Sequence, residues 1–259
     1  MRVQLAAQGV LGQGLPDWHV ARAVLAGTAP YVPAAAPEPA PALLHATERR
    51  RASASVRWAL AVGEQALRAS GRDSAGLATV FVSCGGDGVI THQICEALAV
   101  PPHAVSPTRF HNSVHNAPGG YWGIAVQSHA PSTSLSGYHG AFAIGLLEAA
   151  TQATVQARSV LLIAYDLPYP PPLHALWPVA QPFAAALLLD PPPSTGAALH
   201  LELRAGAARE GWPEALPAQL RSNPAARALE LFAAAARGGA ARVELPYSES
   251  SHLVVQVRP

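Results

Sequence analysis

Lysine is absent from this chain, so all 17 of its Lys/Arg-type cations are arginines. Against 16 acidic residues they leave a net charge of +1 with no basic block. Nucleic acid is therefore not an expected partner, because phosphate recognition needs a concentrated cationic surface. Cysteine is scarce as well. Cys84 and Cys95 fit no metal spacing and no disulfide framework, which points to a reducing, cytoplasmic setting. The opening stretch 1–14 lacks a signal-type apolar segment, and no run reaches the roughly 18 uninterrupted apolar residues of a membrane helix. The expectation is a soluble globular protein with no membrane partner. Only 13% of its 259 residues are charged while half are apolar. Such a chain is long enough to bury a real core, and its thinly charged surface suggests cover by a partner.

Patterning of the residues present gives an alternating series of elements. Arg2–Val10 reads as a first strand, followed by a turn at Gly12, Gly14 and Pro16. Ala29–Ala42 is rich in proline and alanine and should be an exposed, extended loop. Thr47 is placed to cap a helix running to Ser70, with Gly71 as its stop and Glu64–Arg68 as an i,i+4 ion pair. Leu77–Ser83 is a continuous apolar run, the mark of a buried strand. A Gly85–Gly86–Asp87–Gly88 turn leads into a helix over Ile90–Ala99, which Pro101 and Pro102 end. Tyr138–Arg158 reads as a helix that is apolar nearly all round, hence a central buried one. Val160–Ala164, Phe183–Leu189, Ala198–Arg204, Arg242–Leu245 and Leu253–Val257 read as further strands. The loop Pro168–Pro182 holds six prolines and should lack regular structure. Asn223–Pro224 is a helix start and Gly238–Gly239 a stop. This order implies a layered α/β fold.

Chemistry-bearing residues concentrate in Ser106–Gly145. His111 and His115 stand at i,i+4 and could ligate a metal if helical, but Pro118 favours a loop and no third ligand is evident. A hydrogen-bonded structural or interface pair is the better reading, with proton transfer as the remaining one. No metal or cofactor is expected. Ser132, Ser134 and Ser136 near His139 suggest a hydrolase only superficially, because the chain has no G-x-S-x-G elbow and no visible carboxylate to orient a base. The Gly85–Gly88 turn lacks both G-x-G-x-x-G and a P-loop lysine. Trp58, Tyr121 and Trp122 read as packing residues, Cys84 and Cys95 as small buried ones, and Tyr165–Tyr169 as a strand-end turn.

Several short motifs in this order resemble the amino-terminal half of a β-ketoacyl synthase, a thiolase-fold family. Ser106–Pro107 resembles the family's SP start, and Asn116 with Gly120 its N-x-x-x-G segment. Ala130–Pro131–Ser132 resembles its GPS, and Phe183–Asp190 its G-A-x-x-L-x-L-E strand. Counting on from Ser132, the family's T-A-C nucleophile turn falls on Gly137–Tyr138–His139. The resemblance spans about residues 1–190 and implies a truncated thiolase-like fold forming a single domain over 1–259. Residues 191–259 would then be a short remnant of the family's second half. It also implies a loss of chemistry. His139 stands where the family carries its thiolate, and neither downstream His motif is present, so no catalytic residue is expected. What the resemblance implies instead is a short chain length factor-like subunit, similar to the β-ketoacyl synthase-like proteins of aryl polyene clusters. It would pair with a full-length ketosynthase and reach an acyl carrier protein through that complex. Phe110, His111, Asn112, Ser113, Val114, His115 and Asn116 would face the partner and its acyl channel. The alternative is a stand-alone acyl-thioester enzyme using His139 or a nearby serine.

Overall fold

The computed structural model describes residues 1–193, 196–209 and 211–259. The elements follow in order as β1 (Arg2–Gly12), α1 (Trp18–Leu25), α2 (Ala46–Arg51), α3 (Ala54–Ser70), β2 (Ala78–Ser83), α4 (Gly88–Ala99), α5 (Pro107–Ser113) and α6 (Ala117–Val126). Then come β3 (Ser132–Ser136), α7 (Ala141–Val155), β4 (Val160–Asp166), β5 (Phe183–Asp190), β6 (Ala197–Ala205), α8 (Ala228–Ala236), β7 (Ala241–Ser248) and β8 (Ser251–Arg258). One mixed sheet runs β3-β2-β4-β5-β1-β6-β8-β7. β2 lies parallel to β3 and to β4, and every other pairing is antiparallel. This is the α/β fold expected of a thiolase-like chain. The tail beyond residue 190 extends the same sheet: β6 pairs with Arg2–Leu5 of β1, and β8 and β7 follow.

Strand alternation sorts the core to the two faces. On β5, Phe183, Ala185, Leu187 and Leu189 enter the core beneath α1, α7 and α8. Ala184, Ala186 and Leu188 enter the core beneath α3 and α6. A central strand covered on both sides needs apolar residues at every position, which is why FAAALLLD shows no polar alternation. Small residues set how closely the layers approach. At Gly9 an added Cβ would lie 2.4 Å from the Val62 carbonyl oxygen of α3. At Gly140, just before α7, it would lie 2.2 Å from the Tyr247 carbonyl oxygen of β7. The buried helix α7 packs against β2 and β4 and also against β7.

Several elements differ from the sequence expectation. The helix expected over Thr47–Ser70 is two, α2 and α3, broken at Ala52. Ser53, rather than Thr47, caps the long one, accepting from Val56 N–H. The break is held from outside: Asn112 of α5 donates to Arg51 O at 2.9 Å and accepts from Ser53 N–H at 3.2 Å. Phe110–Ser113, expected in a loop, close the helix α5, which Pro107 starts at its first turn. α7 begins at Ala141, preceded by a 3-10 turn over Tyr138–Gly140, and stops at Val155. The proline-rich loop contains a 3-10 turn at Leu173–Ala175. Asn223 does open a helical segment, accepting from Ala225 N–H, but its first turn is 3-10 before α8. α1, capped by Asp17, was not anticipated. Cys84 is buried as expected, whereas Cys95 is exposed. The Glu64–Arg68 pair forms, and Glu64 also accepts from Ala42 N–H at 2.8 Å, pinning the proline/alanine loop. Among the described residues no helix is long and apolar enough to cross a membrane.

Gly140→Ala tests the close approach directly. The new methyl meets backbone rather than a movable side chain, so unfolding in urea should show a loss of about 1–3 kcal/mol. A variant as stable as the native chain would contradict the contact with β7.

Candidate functional site

Between β3 and α7 the chain turns a sharp corner. Tyr138 sits there with φ +47°, a left-handed conformation that costs a non-glycine residue on the order of 1–2 kcal/mol. Its retention means that neighbouring contacts hold it. Tyr138 N–H donates to Cys84 O at 3.1 Å, and Ser136 Oγ–H donates to the same carbonyl at 2.7 Å. The end of β2 therefore anchors the corner.

Behind the corner lies a buried polar node. Asp166, the last residue of β4, accepts from Cys84 N–H at 2.7 Å and from Ala225 N–H at 3.1 Å. Its own carbonyl accepts from Asn223 Nδ2–H at 2.8 Å. Burial raises the Asp166 carboxyl to about 7 from its ordinary 3.8, and the two backbone donors only partly oppose this. Cys84 Sγ lies 3.1 Å from the Tyr169 hydroxyl. Burial first, and the Asp166 charge second, push the Cys84 thiol well up. That thiol is held protonated, the opposite of what a nucleophile needs. Burial likewise raises Tyr165 and Tyr169.

In front of the corner is an open cavity of about 720 Å³, lined among others by Tyr138, His139, Ile144, Leu176 and Tyr247. Tyr138 stacks on Trp177 with centroids 6.0 Å apart and planes at 21°, and Trp177 tilts against Tyr169 at 5.3 Å. His139 is exposed, and among the described residues no hydrogen bond ties its ring to a carboxylate or hydroxyl. The strained position is Tyr138, one residue before the His139 that spacing singled out. Among the described residues no hydrogen-bonded nucleophile–base–orienter chain stands at this corner.

The Phe110–Asn116 segment sits elsewhere, on α5 and its link to α6. Phe110 and Val114 are 67% and 48% exposed, whereas Asn112 is buried and occupied with the α2–α3 break. Ser113 Oγ–H donates back to Phe110 O at 2.8 Å, and Asn116 is exposed at the start of α6. His111 packs edge-on to Tyr121 at 5.6 Å. His115 turns towards Gly86 and, with Asp87 and Tyr165, lines a cavity of about 10 Å³, room for about one water. The two histidines thus take separate partners, and no cluster of three metal-ligating side chains occurs among the described residues. Sequence reasoning read Tyr165–Tyr169 as a strand-end turn, whereas Tyr165 and Asp166 end β4; it gave Asp166 and Tyr169 no role at the site and passed over Trp177. The acid ending the apolar run of β4 was the one available signal, because a carboxylate there must find donors or lose its charge.

The family profile described as "Beta-ketoacyl synthase, N-terminal domain" matches residues 25–249, well past the residue 190 at which the motif resemblance stopped. Among solved structures, a chain in the complex of a ketosynthase with its chain length factor from Xenorhabdus doucetiae is similar, with TM-score 0.73 and 24% identity. The match covers 100% of both chains. A chain of the ishigamide ketosynthase/chain length factor gives TM-score 0.73 at 13% identity over 100% of this chain and 99% of that one. A type II polyketide synthase acyl-carrier protein in complex with its hexaketide-bound ketosynthase contains a chain matching at TM-score 0.75 and 12% identity, over 99% of each. No curated protein sequence matches this chain.

Asp166 carries a pH signature. Its folded carboxyl lies above the ordinary value, so its contribution to stability is complete below about pH 4 and is lost as pH rises through about 7. Chemical unfolding between about pH 5 and about pH 8 should show Asp166→Asn gaining on the native chain by up to a few kcal/mol as pH rises. A difference that stays constant across the window would refute the assignment.

Proposed function

This chain belongs to the beta-ketoacyl synthase N-terminal domain family, and from that premise we propose that it is a non-catalytic, chain length factor-like subunit that completes a ketosynthase heterodimer. Its partner is a full-length ketosynthase, and together they shape a channel for a growing acyl or polyene chain delivered by an acyl carrier protein. Aryl polyene assembly in the cytoplasm is the specific setting we assign. One domain over 1–259 serves this role, with residues 191–259 as the reduced second half. The solved neighbours described as ketosynthase/chain length factor assemblies support the reading by their extent as well as their fold.

The observation that carries the pairing is α4. Its twelve residues are largely apolar, yet among them only Gly88 is buried. It packs on α5, whose Phe110 is exposed, and Val114 follows at the end of that helix. Val89, Leu98, Val100 and, on α6, Ile124 are exposed too. Scattered apolar residues at a surface are ordinary, but a set concentrated on three neighbouring helices marks an interaction face. Beside α6, β3 is the end strand of the sheet, and its outer edge has backbone donors and acceptors with no strand to pair. A partner therefore finds both an apolar face and a polar edge. Of the segment assigned to the interface, Phe110, His111, Ser113, Val114, His115 and Asn116 remain candidates for contact, while Asn112 supports them from within.

The corner accounts for the absence of bond-making in this reading. A thiolate at a helix start is favoured by the backbone N–H groups there, whereas an imidazole gains nothing from them. Tyr138 and His139 occupy the corner, and Cys84 behind it is kept neutral.

Co-expression with a full-length ketosynthase encoded beside it should yield a stoichiometric complex, while the chain alone self-associates. A monodisperse monomer that ignores every such ketosynthase would sink the pairing. Within the complex, Val114→Trp should lower recovery of the pair at least about tenfold or change product length, as bulk is forced into a packed interface. His139→Ala should leave product formation unchanged. Loss of product in that variant, with the complex intact, would move the function to the acyl-thioester enzyme reading.

A further inference from the structure

A second cleft, of about 630 Å³, opens between the end of α8, the first half of β7 and the segment around Trp212. It has no part in the pairing or in the corner. Five charged residues line it, and their accounts can be followed one by one. Glu244 accepts from both Nε and Nη2 of Arg242 through Oε1, at 3.0 and 2.8 Å. Its Oε2 accepts from the backbone N–H of Arg209 at 2.9 Å. Glu230 is buried and pairs with Arg227 at 3.0 Å. Both carboxylates are thus engaged, and Arg242 is spent on Glu244. The guanidinium groups of Arg209 and Arg237 have no side-chain hydrogen bond or ion pair among the described residues, and both residues are exposed. Among the described residues the cleft therefore presents two cations, Arg209 and Arg237, with no carboxylate paired to them. Trp212 forms a wall, its ring fixed by an Nε1–H bond to Leu216 O at 3.2 Å.

We propose that this cleft binds a phosphorylated small molecule carrying a planar ring, of nucleotide type. The ring lies on Trp212, and Arg209 and Arg237 take the phosphate oxygens. The assignment follows from the combination. Arginine pairs with phosphate through two parallel donors, which gives geometry as well as charge. An aromatic wall that has already committed its N–H offers a flat face and no further donor. The volume lies within the range of small-molecule sites and exceeds what an inorganic anion fills. The proposal stands apart from the heterodimer reading, since none of these residues lies on α4, α5, α6 or β3.

The test is calorimetric titration of ADP into the chain at low ionic strength, as purified alone or with its copurified ketosynthase. Saturable binding with a Kd below about 1 mM is expected, weakening as salt is added. Arg209→Gln combined with Arg237→Gln should weaken ADP at least about tenfold at an unchanged melting temperature, because both residues are exposed and their guanidinium groups make no hydrogen bond or ion pair among the described residues. Inorganic phosphate should compete, and adenosine, which keeps the ring without the charge, should bind at least about tenfold more weakly. Equal ADP binding by the native and double-variant proteins would overturn the proposal, as would no saturable binding at millimolar ADP. A polyglutamate peptide that binds here more tightly than ADP would also overturn it and make an acidic protein surface the occupant.

Discussion

A single buried carboxyl ties together parts of the chain that are far apart in sequence. Asp166 closes β4, receives the N–H of Cys84 at the end of β2, and receives that of Ala225 in the turn leading to α8. Cys84 in turn offers its carbonyl to Tyr138 and Ser136 at the strand-to-helix corner. The positive φ of Tyr138 is therefore sustained by a chain of hydrogen bonds rooted in one acid that has been taken out of water. Burial holds that acid above its ordinary range, and burial first, with the Asp166 charge second, also raises the thiol beside it.

That constraint separates shape from chemistry. The corner keeps the strained turn, the buried helix behind it and an open cavity in front, which are the parts a nucleophilic site needs. Its aromatic side chains pack on one another: Tyr138 on Trp177, Trp177 on Tyr169. A further set of exposed apolar side chains, Val89, Leu98, Val100, Phe110, Val114 and Ile124, lies on or at the ends of α4 to α6, alongside the open edge of β3. A helix as apolar as α4 with only Gly88 buried leaves its hydrocarbon in water, at a cost in free energy.

Much of this was legible in the residues. Continuous apolar runs such as Leu77–Ser83 and Phe183–Leu189 identify strands covered on both faces, because only such strands lack polar alternation. The order of short motifs from Ser106 to Asp190 pointed to the family, and the profile match extends it to residue 249. Less legible were the boundaries decided at a distance. Nothing local in Thr47–Ser70 says that the helix breaks at Ala52; Asn112, some sixty residues on, supplies the donor and acceptor that hold the break. Nor does the spacing that put His139 in the nucleophile position reveal that the strained residue is Tyr138. Backbone conformation at a corner is set by what the neighbouring strand end offers, not by counting.

By itself the sequence determined the class of fold, the two-sided cover of the central strands and the family. These are properties of residue identity and of periods two and 3.6, which act over a few residues. Only the tertiary structure decided that the tail joins the same sheet through β1, that Asn112 is an internal brace, that Asp166 is the node beneath the corner, and that Arg209 and Arg237 face one cleft. Each of those depends on groups from distant segments meeting where water is excluded or charge is left over. That is a matter of where the chain goes, which no local pattern encodes.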